Sequence, residues 1–168
     1  MDFFLKNINL LLLGNGHLKD KQPDIRKIVM KIHSTNYYDT FIEAAADTKT
    51  SLGRIPPQKE KKTIAEMQYK LIAEHPYKYT SDELLFQVYA DRNALPLSEY
   101  ESARKAFFSK GQACLRASPL TKNYGFGIHN DHAGKIALYA IETAEYARFL
   151  NDPKITKVKA MRSSRKSM

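Results

Sequence analysis

Between Tyr124 and Ile141 the chain alternates twice in its hydrophobicity, with a turn-forming run in the middle. Tyr124, Phe126 and Ile128 fall on one side of the first run, and Gly125, Gly127 and His129 on the other. In the second run Ile136, Leu138 and Ala140 oppose Lys135, Ala137, Tyr139 and Ile141. A period of two is that of a strand, and Asn130-Asp131-His132-Ala133-Gly134 is a turn by composition. The pattern predicts a β-hairpin with a five-residue loop. Glycine weakens a strand interior, so Gly125 and Gly127 imply a close approach to the backbone by a helix, another chain or a ligand, unless the face is simply solvated.

The segment before the hairpin predicts a helix and then a further strand. Ser98 and Glu101 have capping-box spacing, Tyr100, Ala103, Ala106 and Phe107 recur at helical intervals, and Gly111 supplies a left-handed stop. Cys114 to Ser118 alternates and reads as a strand ended by Pro119. This assignment puts Cys114, Arg116 and Ser118 on the face that carries Gly125, Gly127, His129 and Tyr139.

Elsewhere, residues 38–46 read as a strand and 47–62 as a long connection, of a length more often functional or mobile than inert. Thr63 and Glu66 cap a helix with a stripe of Ile64, Met67, Leu71 and Ile72, which stops at His75-Pro76. Thr80 and Glu83 cap another, with Leu84, Leu85, Val88 and Tyr89 inward and Asn93 and Pro96 closing it. Tyr77-Lys78-Tyr79 either packs at this helix junction or interleaves base and aromatic for a nucleic-acid strand. Residues 143–150 form a short helix buried through Tyr146, Phe149 and Leu150. Residues 155–161 form a last strand with Val158 and Ala160 inward. The fold class is α+β: one domain over residues 31–162, a mostly antiparallel sheet of four to five strands, and about four helices. Three of the helices precede the hairpin consecutively, which segregates them to one side.

Residues 1–29 differ in character, with short apolar runs that cannot span a bilayer and no convincing cleavage site. Met30 is the expected natural start, with 1–29 an upstream extension; an amphipathic arm and a weak signal peptide are the alternatives. Residues 163–168 form a basic tail.

The formal charge of +9 and sequence pI near 9.5 favour contact with nucleic acid, phosphorylated small molecules or acidic surfaces. A single cysteine excludes an intramolecular disulfide and a cysteine-based zinc cluster, and fits a reducing, cytoplasmic compartment. No phosphate loop, dinucleotide fingerprint or HExxH is present, so no cofactor is implied. His129 and His132 flank a turn containing Asp131, a spacing that more often leaves loop histidines exposed than holds a metal.

Three functions follow. The leading expectation is a binding domain for an anionic small molecule or nucleic acid, using Lys110, Arg116, Ser118, Lys122, Tyr124, Gly125, Gly127 and His129, with Lys157 and Lys159 at the rim. Ordinary pairing of Arg116 and the lysines with Glu43, Glu142 or Glu145 is the competing reading. The second is a small enzyme using Cys114 or His129, which needs a thiol activated by a neighbouring cation and a base within reach. The third is an interaction module whose glycine-bearing face pairs with a second copy as a homodimer.

Longer motifs point further. They are Ile55-Pro56-Pro57, Thr63-Ile64-Ala65 with Gln68-Tyr69, Pro76 to Asp82, Phe108 to Ser118, Tyr124 to His129 and Lys159 to Ser163. In this order they resemble a bacterial family filed as domain of unknown function 6157, from about Lys31 to Arg165. The resemblance leaves out residues 1–29, which favours a start at Met30. It implies a small soluble bacterial protein and assigns no activity, so no catalytic residue is carried over.

Overall fold

β2 (Phe126–Asn130) and β3 (Ile136–Ala140) form the expected hairpin, with Phe126 opposite Ala140 and Asn130 opposite Ile136. The Asp131 carboxylate holds the turn, accepting from the Ala133 and Lys135 amides at 2.8 Å each. Gly134 supplies a φ of +74°, a conformation that strains other residues.

The computed structural model describes residues 31–164. Among them are four strands in the order β3-β2-β1-β4 and five α-helices, an α+β fold with a mixed sheet. β1 (Thr40–Glu43) pairs antiparallel with β2, and β4 (Thr156–Lys159) lies parallel to β1 on its other side. The readings of residues 1–29 and of most of the basic tail lie outside the described residues.

Strand alternation sorts the two faces. One carries Ile42, Phe126, Ile128 and Ile136, packed with Leu115, Ala65 and Ile72 of α1 (Ile64–Glu74), Leu84 of α2 (Ser81–Arg92) and Leu120 of α4 (Pro119–Asn123). The other carries Phe41, which meets Tyr146 edge-on at 4.9 Å and stacks on Phe149 at 5.2 Å, both from α5 (Ala144–Asn151). Burying each of the Ile, Leu and Phe side chains stabilises the fold by about 1.5–3 kcal/mol. The helices between β1 and the hairpin therefore share one face, and α5 crosses the other on its way from β3 to β4.

Helix faces differ from expectation in two places. The buried line of α1 is Ala65, Gln68 and Ile72, while Ile64 is 39% exposed. In α2, Leu84, Phe86, Val88 and Ala90 are all buried because the helix is covered on two sides. Leu84 joins the sheet core, whereas Phe86 and Ala90 join Phe108 of α3 (Tyr100–Phe108).

Caps explain where most helices begin. The Thr63, Thr80 and Thr143 hydroxyls accept from Glu66, Glu83 and Tyr146 amides, and Thr80 with Glu83 completes a capping box. Ser98 does not cap. Residues Leu97–Glu99 form a 3₁₀ turn that runs directly into α3 and absorbs it. Gly111 is not left-handed either, since α3 ends through Ser109 in a right-handed conformation.

The strand expected at Cys114–Ser118 is instead a 3₁₀ turn, Leu115–Ala117. Ser118 then caps α4 by accepting from the Leu120 amide, and Pro119 is its first residue, where a missing N–H costs nothing. Ser-Pro here starts a helix. β1 is shorter than residues 38–46: Asp39 has φ 43°, and the Ala45 amide turns away to the Thr121 carbonyl.

The free edge of β3 is covered by the loop between α1 and α2. The Tyr77 amide donates to Ile136 O at 2.7 Å and the Ile136 amide to Tyr79 O at 2.9 Å. Residues 34–36 clasp the start of α2 in the same way, through Asp82, which accepts from Ser34 Oγ, the Thr35 amide and Thr35 Oγ1, each at 2.7 Å.

Candidate ligand-binding cleft

The fold distributes the expected site residues over both faces of the sheet. Ser118 is buried: its hydroxyl donates to Gln68 Oε1 at 2.6 Å and accepts from Leu120 N. Arg116 donates through Nε to the Lys159 carbonyl at 2.8 Å, and its own carbonyl accepts from Met161 N, so it ties the 3₁₀ turn to the end of β4. It makes none of the expected carboxylate pairs. Lys110 is exposed beyond α3, Lys122 is half-buried on α4, and Tyr124 packs against the sheet core.

Neither hairpin glycine leaves room for a ligand or a second chain. A Cβ on Gly125 would lie 2.5 Å from the Leu52 carbonyl oxygen, and its φ is +71°. A Cβ on Gly127 would lie 2.4 Å from Phe41 Cζ. The close approach inferred from the sequence is real: Thr50 and Leu52 make it at Gly125, and Phe41 with Tyr146 of α5 at Gly127.

Cys114 and His129 do not meet. Cys114 Sγ lies 3.7 Å from Tyr37 Oη, beside Leu115 on the face that carries α1 and α4. Burial raises the Tyr37 hydroxyl pKa, the Cys114 contact adds to this, and Arg116 opposes it. His129 is on the opposite face, stacked on Phe149 with centroids 4.2 Å apart. There its Nδ1 is 2.9 Å from Tyr77 Oη, which is also 2.9 Å from Tyr139 Oη. Burial lowers the His129 pKa, with Asp131 and Asp39 opposing. Burial also raises that of Tyr77, reinforced by Tyr139. Tyr77, though exposed, thus joins hairpin and helix junction through hydrogen bonds, and Tyr79 packs against the core. His132 is exposed on the turn, and no group of three metal-ligating side chains occurs among the described residues.

The arrangement best suited to a ligand lies elsewhere. Where α1 and α2 pack together and the segment after α3 passes them, a cleft of about 480 Å³ opens. Ile64, Leu85, Val88, Tyr89 and Phe107 give it apolar and aromatic walls, and Gln68, Arg92, Asn93 and Gln112 add polar groups. That volume and lining are typical of small-molecule sites. A second hollow, lined by Lys61, Lys62, Thr63, Ala65 and Asn123, shares Ile64 and Arg92 with the first. Arg92 has no carboxylate partner among the described residues, whose ion pairs are Lys105–Glu101 and Lys135–Glu83. An unpaired guanidinium at the junction of an apolar cleft and a lysine-lined hollow can fork onto a phosphate or carboxylate.

The sequence profile of a family of unknown function, DUF6157, matches residues 32–166. The chain belongs to that family. No curated protein and no solved structure matches it. No described helix of this DUF6157 chain is long and apolar enough to cross a membrane.

None of the cleft's polar residues in this DUF6157 member was a sequence-level site candidate. Arg92 is an ordinary basic residue in the last turn of a helix, where it also favours the helix dipole. One signal was present. Gln68 stands three residues from Ala65 and four from Ile72 on the inward side of α1, and a polar side chain at a core position needs a partner.

Proposed function

We propose that this protein binds a small anionic molecule in the cleft between α1, α2 and residues 107–113, with Arg92 as the anion-binding residue. The observation that carries the reading is that Arg92, without a carboxylate partner among the described residues, lines both the apolar cleft and the hollow containing Lys61 and Lys62. An apolar body would occupy the first and the anionic group would face the second. The hollow also borders the first turn of α1, whose amides favour negative charge. The site is a cleft of small-molecule size, which favours a phosphorylated or carboxylated small molecule over a nucleic-acid strand. A role for Cys114 with His129 as a catalytic pair is disfavoured by the sheet standing between them.

Isothermal titration with a panel of sugar phosphates, nucleoside monophosphates and aromatic carboxylates tests the reading. At least one class is expected to bind, more weakly as salt is raised, and to lose about tenfold or more in affinity in Arg92→Gln, because a charged hydrogen-bond partner is removed. Absence of binding across the panel, or affinity untouched by Arg92→Gln, overturns it.

A further inference from the structure

The amides in the cleft are not free to turn, and their fixed directions describe the ligand. Ser118 Oγ accepts from the Leu120 amide at 3.1 Å and donates its own hydrogen to Gln68 Oε1 at 2.6 Å. The Gln68 Nε2 group is left as a donor, with no acceptor among the described residues, on a side chain that is 3% exposed and lines the cleft. Gln112 is fixed the opposite way. Its Nε2 donates to the Phe107 carbonyl at 2.6 Å, leaving Oε1 as an acceptor. Asn93 is fixed likewise by donation from Nδ2 to the Tyr89 carbonyl at 2.7 Å, and its Oδ1 is also left to accept.

The Gln68 donor is not sealed in the core, since it is not among the buried unpartnered atoms Asp47 Oδ1, Thr48 Oγ1 and Asn130 Oδ1, and so it opens on the cleft that Gln68 lines. The complementary ligand therefore carries an acceptor for Gln68 and a donor for Gln112 or Asn93. Tyr89 and Phe107, with centroids 4.8 Å apart, form an aromatic wall in the same cleft. A flat ring stacks on such a wall at any orientation, whereas the amides select its edge. An acceptor and a donor side by side on a flat ring is the hydrogen-bonding edge of a nucleobase.

We propose that the ligand is a nucleoside monophosphate, with its base held between Gln68, Gln112 and the Tyr89–Phe107 wall and its phosphate at Arg92. This rests on the reading of the cleft as an anion site and adds the identity of the apolar body.

Titration of the full chain with the four common ribonucleoside 5′-monophosphates and with ribose 5-phosphate tests the assignment. At least one nucleotide is expected to bind about tenfold or more tighter than ribose 5-phosphate, since base stacking on an aromatic side chain commonly contributes this much. Gln112→Met, on the half-buried rim, is expected to remove most of that preference and leave ribose 5-phosphate affinity unchanged. Gln68→Met should do the same, and the rim variant decides the matter if the core one does not fold. Equal binding of ribose 5-phosphate and every nucleotide overturns the base site but leaves the anion site standing. A nucleotide preference indifferent to Gln112→Met overturns the placement of the base edge. Failure of all five compounds to bind overturns this assignment, and the carboxylates of the wider panel then decide whether the anion site stands.

Discussion

Gly127 and Tyr146 are fitted so closely that a Cβ on the glycine would lie 2.7 Å from Tyr146 Cε2. Tyr146 cannot withdraw easily, because its hydroxyl accepts from the Ala44 amide at 2.9 Å and its ring packs edge-on against Phe41. Gly127 is thus what lets α5 lie flat across the hairpin.

Gly127→Ala is therefore expected to destabilise the fold by about 1–3 kcal/mol, the usual cost of overpacking a closed core. Gly111→Ala is the control: nothing lies within 4 Å of its Cβ position and its backbone is not left-handed. It should be neutral or slightly stabilising, because it restricts the unfolded chain. Urea midpoints for the two variants compare them directly, and equal effects contradict the account.

The hairpin was legible because both its strands bury one face and turn a different chemistry to the other, which leaves a period of two. Gly127 could be read as a point of close approach for the same reason. α2 was less legible, since burial on two sides erases the single stripe that marks a surface helix. Ser98 and Ser118 show the limit of local signals. One has capping-box spacing but falls inside a 3₁₀ turn, and the other precedes a proline that starts a helix rather than ending a strand. The cleft was legible only in the polar Gln68 on the inward side of α1. Gln68, Arg92 and Gln112 come from three separate segments, and only the packing of α1 on α2 brings them to one surface.

His129 gives the fold a pH dependence of definite sign. Burial against Phe149 holds its pKa below the ordinary 6.5, Asp131, Asp39 and Asp152 oppose this, and Arg148 assists it. The unfolded chain therefore takes up a proton near pH 6.5 that the folded chain refuses until lower pH. Stability is full above about pH 6.5 and falls as pH drops toward the folded value. His129→Gln should remove this component. The difference in urea midpoint between wild type and variant should shrink, or change sign, from pH 7.5 to pH 5.5. A difference independent of pH contradicts it; the other histidines are present in both proteins and cancel.

Asp82 holds residues 34–36 to the start of α2 with no cation beside it among the described residues. The residue is 8% exposed, and its carboxylate accepts three hydrogen bonds from Ser34 and Thr35 in the first turn of the helix, where the amides favour negative charge. The Asp82 amide is itself satisfied by Asn36 Oδ1 at 2.9 Å, so the clasp is reciprocal. Asp82→Ala leaves the buried Thr35 amide and hydroxyl without that acceptor, and a loss of about 2–4 kcal/mol is expected. Asp82→Asn keeps the shape and one acceptor oxygen and should cost less. The same clasp positions the segment whose His33 amide donates to the Phe108 carbonyl at 2.9 Å, at the end of α3. Hydrogen exchange should therefore report faster exchange in Asp82→Ala at His33 and Thr35, while Ile128 in the central hairpin slows or speeds only with global stability. Uniform acceleration across all three amides, tracking global stability alone, means that the carboxylate supports the whole fold rather than this one joint.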